Sequence, residues 1–137
     1  MSRIDYGTLF VRAYTLMIAL ACGLGAVILT SGHERFSTPS FRGARDLVAW
    51  LPGEAHYYWG GLFLVYGLIL IGALGRPIAV HALRFGMVIY LFFAITFFLS
   101  LLAESKAGLT GCVAYMTFFG FHAVLSDHLS HRSWTDC

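Results

Sequence analysis

The sequence predicts an all-α integral membrane protein, a bundle of four transmembrane helices with a short interfacial amphipathic helix between spans 1 and 2. Hydrophobic residues make up 58% of the 137 residues and charged residues only 12%, whereas soluble domains carry about 25% charged residues. The apolar residues form four long stretches, and a helix needs about 20 such residues to cross the bilayer. A chain of this length provides one domain.

The predicted spans follow the apolar stretches within a single transmembrane domain of residues 1–137. The first stretch runs 19 residues without a charge, from Ala13 to Ser31. A signal-peptide core has only about 7–15 apolar residues, so we expect a span that is retained. The four spans are expected at about residues 10–31, 57–75, 85–103 and 107–126.

A long connection joins the first two spans. Within it, apolar residues recur at helical spacing over about residues 40–51, and arginines occupy the other positions. The chain then turns at Pro52 and Gly53. This pattern favours a short amphipathic helix that lies in the membrane interface. The alternative is a solvent loop that contains one turn of helix.

Two groups of residues are predicted to organise the bundle. Small residues let neighbouring helices approach closely, and aromatic rings anchor a helix at the level of the lipid headgroups. The candidate packing residues are Gly23, Gly25, Gly60, Gly67 and Gly72. The candidate interfacial anchors are Trp50, Tyr57, Tyr58 and Trp59.

The distribution of Lys and Arg predicts the orientation in the membrane. Four spans place both termini on one side, together with the loop between the second and third spans. That side carries five basic residues and the other side four. The acids Glu34, Asp46 and Glu54 offset the arginines of the long connection. We therefore expect both termini in the cytoplasm and the chain in the cytoplasmic (inner) membrane.

Histidines are the main candidates for chemistry. His122 lies inside the fourth span, where an ionisable group suggests a function; the alternative is a neutral histidine that is hydrogen-bonded to a neighbouring helix. Membrane-bound b-type haem needs a second axial histidine, and no other predicted span offers one. His128 and His131 are three residues apart and would share a helix face, a spacing that can bind a metal. The sequence favours a solvated polar tail over a metal site there.

Several classes of function are excluded by what the sequence lacks. It has no P-loop, no GxSxG motif and no HExxH motif, so we expect no enzyme, no catalytic residues and no cofactor. No carboxylate lies in the middle of a span, which argues against a proton pump or an ion-coupled transporter. The net charge of +2 and the lack of a basic run argue against a nucleic-acid partner.

One set of short motifs carries a resemblance to a known group of proteins. The motifs are Phe36-Ser37-Thr38-Pro39-Ser40-Phe41, Leu51-Pro52-Gly53, Trp59-Gly60-Gly61 and Tyr66-Gly67. Over residues 36–75, this arrangement resembles small four-span membrane proteins of actinobacterial phages, which are considered holin-like. The resemblance implies self-association in the host cytoplasmic membrane and brings no catalytic residues.

Two functional hypotheses follow. The first is a holin-like protein that forms homo-oligomers through its glycine-rich faces and permeabilises or depolarises the membrane. The second is an accessory or structural subunit of a larger membrane complex, or a phage exclusion protein.

Overall fold

A computed structural model describes residues 6–102 and 108–135, and it describes the surroundings of the side chains for residues 10–102 and 109–130. Within these ranges the chain forms five α-helices and one 3-10 turn, and no strand. The helices are α1 (Tyr6–Phe36), α2 (Arg42–Leu47), α3 (Ala55–Ala73), α4 (Ala79–Leu102) and α5 (Gly108–Thr135). The protein is all-α.

Four of the described helices, α1, α3, α4 and α5, are long and apolar enough to cross a membrane. This architecture is that of a multi-pass membrane protein. The helices extend past the apolar stretches: α1 continues beyond Ser31 to Phe36, and α5 continues beyond Ser126 to Thr135. A helix can continue into water, so hydropathy predicts where a span ends but not where its helix ends. The predicted span ends at residues 103 and 107 lie outside the described residues.

The spanning helices pack as two pairs. α1 packs mainly against α3, and α4 mainly against α5. The first pair comes together at Gly25 and Gly60, where a Cβ added to Gly25 would lie 2.8 Å from the backbone nitrogen of Leu64 and 3.0 Å from the Gly60 oxygen. A side chain at Gly25 would therefore hold the two backbones apart.

The other predicted packing glycines divide between the inside and the outside of this pair. Gly67 faces the Cys22 thiol across the α1–α3 contact. An added Cβ on Gly23 or Gly72 would meet no atom of the described chain within 4 Å. Gly23 and Gly72 therefore lie on the outer surface of the bundle.

The helix between the first two spans is shorter than the predicted range of residues 40–51. A 3-10 turn precedes α2, which ends at Leu47. α2 is held against α4, because the backbone N–H of Gly43 donates a hydrogen bond to the Ser100 hydroxyl (3.3 Å). Ala44 is buried there. After Leu47 the chain continues toward Pro52 in hydrogen-bonded turns, in which the N–H of Leu51 donates to the carbonyl oxygen of Val48.

One predicted interfacial anchor lies inside the protein. Trp50 and Tyr57 are exposed, as an anchor requires, whereas Trp59 is buried. The indole N–H of Trp59 donates a 2.8 Å hydrogen bond to the carbonyl oxygen of Ala44. The prediction for Trp59 was wrong because α2 folds over this ring and supplies an acceptor. Tyr58 is half-buried, and its hydroxyl donates to the carbonyl oxygen of Pro52.

Aromatic rings fill the space between the two helix pairs. Phe63 of α3 packs edge-on against Phe93 of α4 (5.3 Å between ring centroids), and Phe93 packs edge-on against Tyr115 of α5 (4.6 Å). α4 thus turns Phe93 inward while its neighbour Phe92 stays exposed. The pairs therefore meet through large side chains rather than through close backbone contact.

Replacing Gly25 with alanine tests the α1–α3 contact. We expect Gly25→Ala to lower the stability by about 1–3 kcal/mol, because the added methyl group meets backbone atoms that cannot rotate away. Gly23→Ala is the matched control, since its methyl group enters open space, and it should leave the stability unchanged or raise it by up to about 1 kcal/mol, because alanine favours a helix more than glycine does. The measurement is thermal unfolding of the detergent-solubilised protein, followed by circular dichroism. Equal effects of the two substitutions would contradict this packing.

Candidate functional site

Three polar side chains from three helices meet in the interior of the bundle. Tyr66 of α3, Tyr90 of α4 and His122 of α5 all have an exposed fraction of 0%. The His122 ring lies 4.8 Å from the Tyr90 ring and 5.8 Å from the Tyr66 ring, measured between centroids. Each of the three lies near the middle of its apolar helix. We call this group the tyrosine–histidine seam, because it lies where the two helix pairs meet.

The hydrogen bond of His122 fixes which of its ring nitrogens carries the proton. Its Nδ1 lies 2.8 Å from the carbonyl oxygen of Phe118, one turn earlier in α5. A carbonyl oxygen can only accept, so Nδ1 is the donor and Nε2 of the neutral ring is an acceptor. The bond therefore goes to the backbone of the same helix rather than to a neighbouring helix.

The remaining polar atoms of the seam lack partners in the described part of the chain. These atoms are His122 Nε2 and the hydroxyl oxygens of Tyr66 and Tyr90, all fully buried. A buried polar group without a hydrogen bond costs about 1–3 kcal/mol. The seam therefore places two hydroxyl groups and one imidazole nitrogen in the interior of the bundle.

Gly86 of α4 creates the space for this group. An added Cβ at Gly86 would overlap the Tyr66 hydroxyl, and it would lie 2.7 Å from Cδ2 of His122. The hydroxyl and the imidazole therefore point at the same place on α4. The sequence marks His122 as a candidate but not Tyr66 or Tyr90. These two tyrosines differ from the aromatic residues at the span ends by lying in the middle of a span.

A second polar cluster lies where α1 ends and α3 begins. Nδ1 of His33 lies 2.8 Å from Oε2 of Glu54, and Nδ1 of His56 lies 3.0 Å from the same oxygen. His33 and Glu54 are exposed, whereas His56 is buried. His33 lies 21 positions before Glu54 in the sequence, whereas His56 follows Glu54 closely. Sequence spacing alone did not predict this cluster.

The carboxylate of Glu54 is held in its ionised form. The hydrogen bond from His33 lowers the pKa of Glu54 below its ordinary value, and the charges of His33 and His56 act in the same direction. Carboxylate oxygens and imidazole nitrogens are metal ligands, so the cluster has the chemistry of a metal site. We call it the His–Glu–His cluster.

The predicted polar tail is only partly described. His128 lies near the end of the candidate span Leu109–Ser130, and its ring stacks on Phe10 of α1 at a centroid distance of 5.8 Å. The side chain of His131 lies outside the described residues. A metal site at His128 and His131 stays a prediction.

Two Tyr→Phe substitutions distinguish a buried hydroxyl that makes a hydrogen bond from one that makes none. The Tyr14 hydroxyl donates a 3.1 Å hydrogen bond to the carbonyl oxygen of Leu70, so Tyr14→Phe should lower the stability by about 1 kcal/mol. Tyr66→Phe removes an equally buried hydroxyl that has no partner in the described chain, so it should raise the stability by about 1 kcal/mol. Both are measured by thermal unfolding in detergent. Destabilisation by both substitutions would show that Tyr66 also makes a hydrogen bond.

Comparisons of the chain with protein-family models, with curated proteins and with solved structures found no match. The tyrosine–histidine seam, the His–Glu–His cluster and the apolar outer surface are the features from which a function is inferred.

Proposed function

We propose that this chain assembles with copies of itself in the cytoplasmic membrane, with both termini in the cytoplasm, and then permeabilises or depolarises that membrane. This is the holin-like function implied by the resemblance to four-span proteins of actinobacterial phages. The tyrosine–histidine seam is the observation that carries the proposal, and the apolar outer surface supports it.

The outer surface suits contact with lipid or with other copies. Within the most apolar window of each spanning helix, only 22–44% of the residues are buried inside the protein. The exposed side chains are largely aliphatic and aromatic, among them Leu68, Val88 and Val124. Gly23 and Gly72 lie on the same surface and permit the close approach of another helix. Self-association therefore needs no rearrangement of the helix pairs.

The seam suits a change from a closed bundle to a water-lined assembly. Its polar atoms, which have no hydrogen-bond partner among the described residues, raise the energy of the closed bundle, because hydrocarbon cannot replace the hydrogen bonds that water would give them. The seam lies where the two helix pairs meet, and separation of the pairs would expose it to water. An opened form would recover this energy, whereas an all-apolar seam would oppose opening.

The accessory or exclusion hypothesis makes use of the same apolar surface. A subunit of a larger complex would bury this surface against a partner, and it would have no need to open. Expression of the chain alone separates the two hypotheses, because only the first predicts a loss of membrane potential without any partner.

Regulated expression in a bacterial host tests the proposal. Once the chain accumulates, the membrane potential should collapse, as followed with a voltage-sensitive dye. The Tyr66→Phe/Tyr90→Phe double variant should accumulate equally but depolarise at least about tenfold more slowly, since a barrier raised by about 1.4 kcal/mol slows a step tenfold. Tyr57→Phe is the matched control, because this hydroxyl lies on an exposed side chain, and it should act like the unmodified chain.

Two results would overturn the proposal. Harmless accumulation of the unmodified chain in the membrane would favour the accessory or exclusion role. Equal rates of depolarisation in the unmodified chain and the double variant would show that the seam plays no part in permeabilisation.

A further inference from the structure

The His–Glu–His cluster brings together donors of the type that zinc prefers. One donor atom from each of His33, Glu54 and His56 lies within 4.8 Å of the others. Two imidazole nitrogens and one carboxylate oxygen are a ligand set for zinc, and three protein ligands leave the fourth tetrahedral position open. A hard ion such as Mg²⁺ prefers oxygen ligands alone.

The local backbone is built to bring these residues together. Gly32 of α1 faces His56 so closely that an added Cβ would overlap the Cβ of His56. This approach places the next residue, His33, opposite the first turn of α3. The chain enters α3 through Gly53, whose φ of +104° suits glycine, and Glu54 then occupies the N-cap position in an extended conformation.

The distances suit a small divalent ion after modest movement. Zinc binds imidazole nitrogen and carboxylate oxygen at about 2.0–2.2 Å in tetrahedral geometry, which places ligand atoms about 3.3 Å apart. The two nitrogen–oxygen distances of 2.8 and 3.0 Å are slightly shorter than this. His33 and Glu54 are exposed and can adjust their rotamers, whereas the buried His56 provides a fixed point.

The cluster borders a cavity, so that the fourth coordination position is accessible. The cavity has a volume of about 370 Å³, and its lining includes all three candidate ligands together with Phe36 and Arg45. A water molecule or an anion could reach the ion from this side.

We propose that His33, Glu54 and His56 form a zinc-binding site that fastens the end of α1 to the start of α3. This site is a property of the His–Glu–His cluster and does not depend on permeabilisation. Zinc would replace the hydrogen bonds that the carboxylate now accepts by bonds from the metal to all three side chains. For this, each imidazole carries its proton on Nε2.

Zinc binding by the full-length protein tests this inference. The protein is purified in detergent without a polyhistidine tag and titrated with ZnCl₂ in a calorimeter, with MgCl₂ titrated in parallel. We expect one zinc ion per chain and no heat from magnesium. His33→Gln changes an exposed residue and should leave the fold intact while weakening zinc binding at least tenfold. Zinc should also raise the unfolding temperature of the unmodified chain but not that of His33→Gln.

Two further variants separate the site from general histidine binding. His81→Ala removes an exposed histidine at the start of α4, on the opposite side of the bundle, and should bind zinc as the unmodified chain does. Gly32→Ala keeps every ligand but pushes His56 away from His33, and should weaken binding. The inference is overturned if the unmodified chain binds no zinc, or if His33→Gln binds it as tightly. Equal weakening by His81→Ala and His33→Gln also overturns it.

Discussion

The need to pair every backbone and side-chain polar group inside hydrocarbon governs this structure. Long helices satisfy the hydrogen bonds of the backbone. The polar side chains of the spans mostly donate hydrogen bonds to carbonyl oxygens one turn earlier in the same helix. Thr15 donates to Val11, Thr117 to Val113, and His122 Nδ1 bonds to Phe118. Because this solution is used so widely, the seam atoms that have no partner among the described residues stand out. A buried polar atom without a hydrogen bond costs stability, and for that reason the seam suggests a function.

Much of the fold follows from this constraint and could be predicted from the sequence. Uninterrupted apolar stretches with few charges can only be spanning helices, and their number follows directly. The inward faces could not be predicted in the same way, because a helix that is apolar on all sides has no periodic pattern to mark its buried face. Trp59 illustrates the limit. A tryptophan near a span end usually marks the interface. Here α2 covers the ring, and a carbonyl oxygen of α2 accepts a hydrogen bond from the indole N–H.

The candidate sites depend on contacts that sequence spacing does not encode. His33 and Glu54 are 21 residues apart, and the close passage of Gly32 against His56 brings this end of α1 to the start of α3. A search for local motifs finds metal ligands that are a few residues apart, such as His128 and His131. Such a search does not find ligands that are distant in the sequence, as His33 and Glu54 are. Within the seam, a mid-span histidine was conspicuous, whereas Tyr66 and Tyr90 resembled the many belt aromatics of the chain.

The short helix α2 is hydrogen-bonded to both helix pairs. The backbone N–H of Gly43 in α2 donates a hydrogen bond to the Ser100 hydroxyl of α4. A carbonyl oxygen of α2 accepts a hydrogen bond from the indole N–H of Trp59 in α3. Any separation of α3 from α4 at this end of the bundle must break one of these two hydrogen bonds, each worth about 1 kcal/mol. That cost is of the same order as the energy regained when a partnerless seam hydroxyl meets water. The hydrogen bonds of α2 and the aromatic packing of Phe63, Phe93 and Tyr115 thus hold the two helix pairs together, and the buried polar atoms of the seam act in the opposite direction.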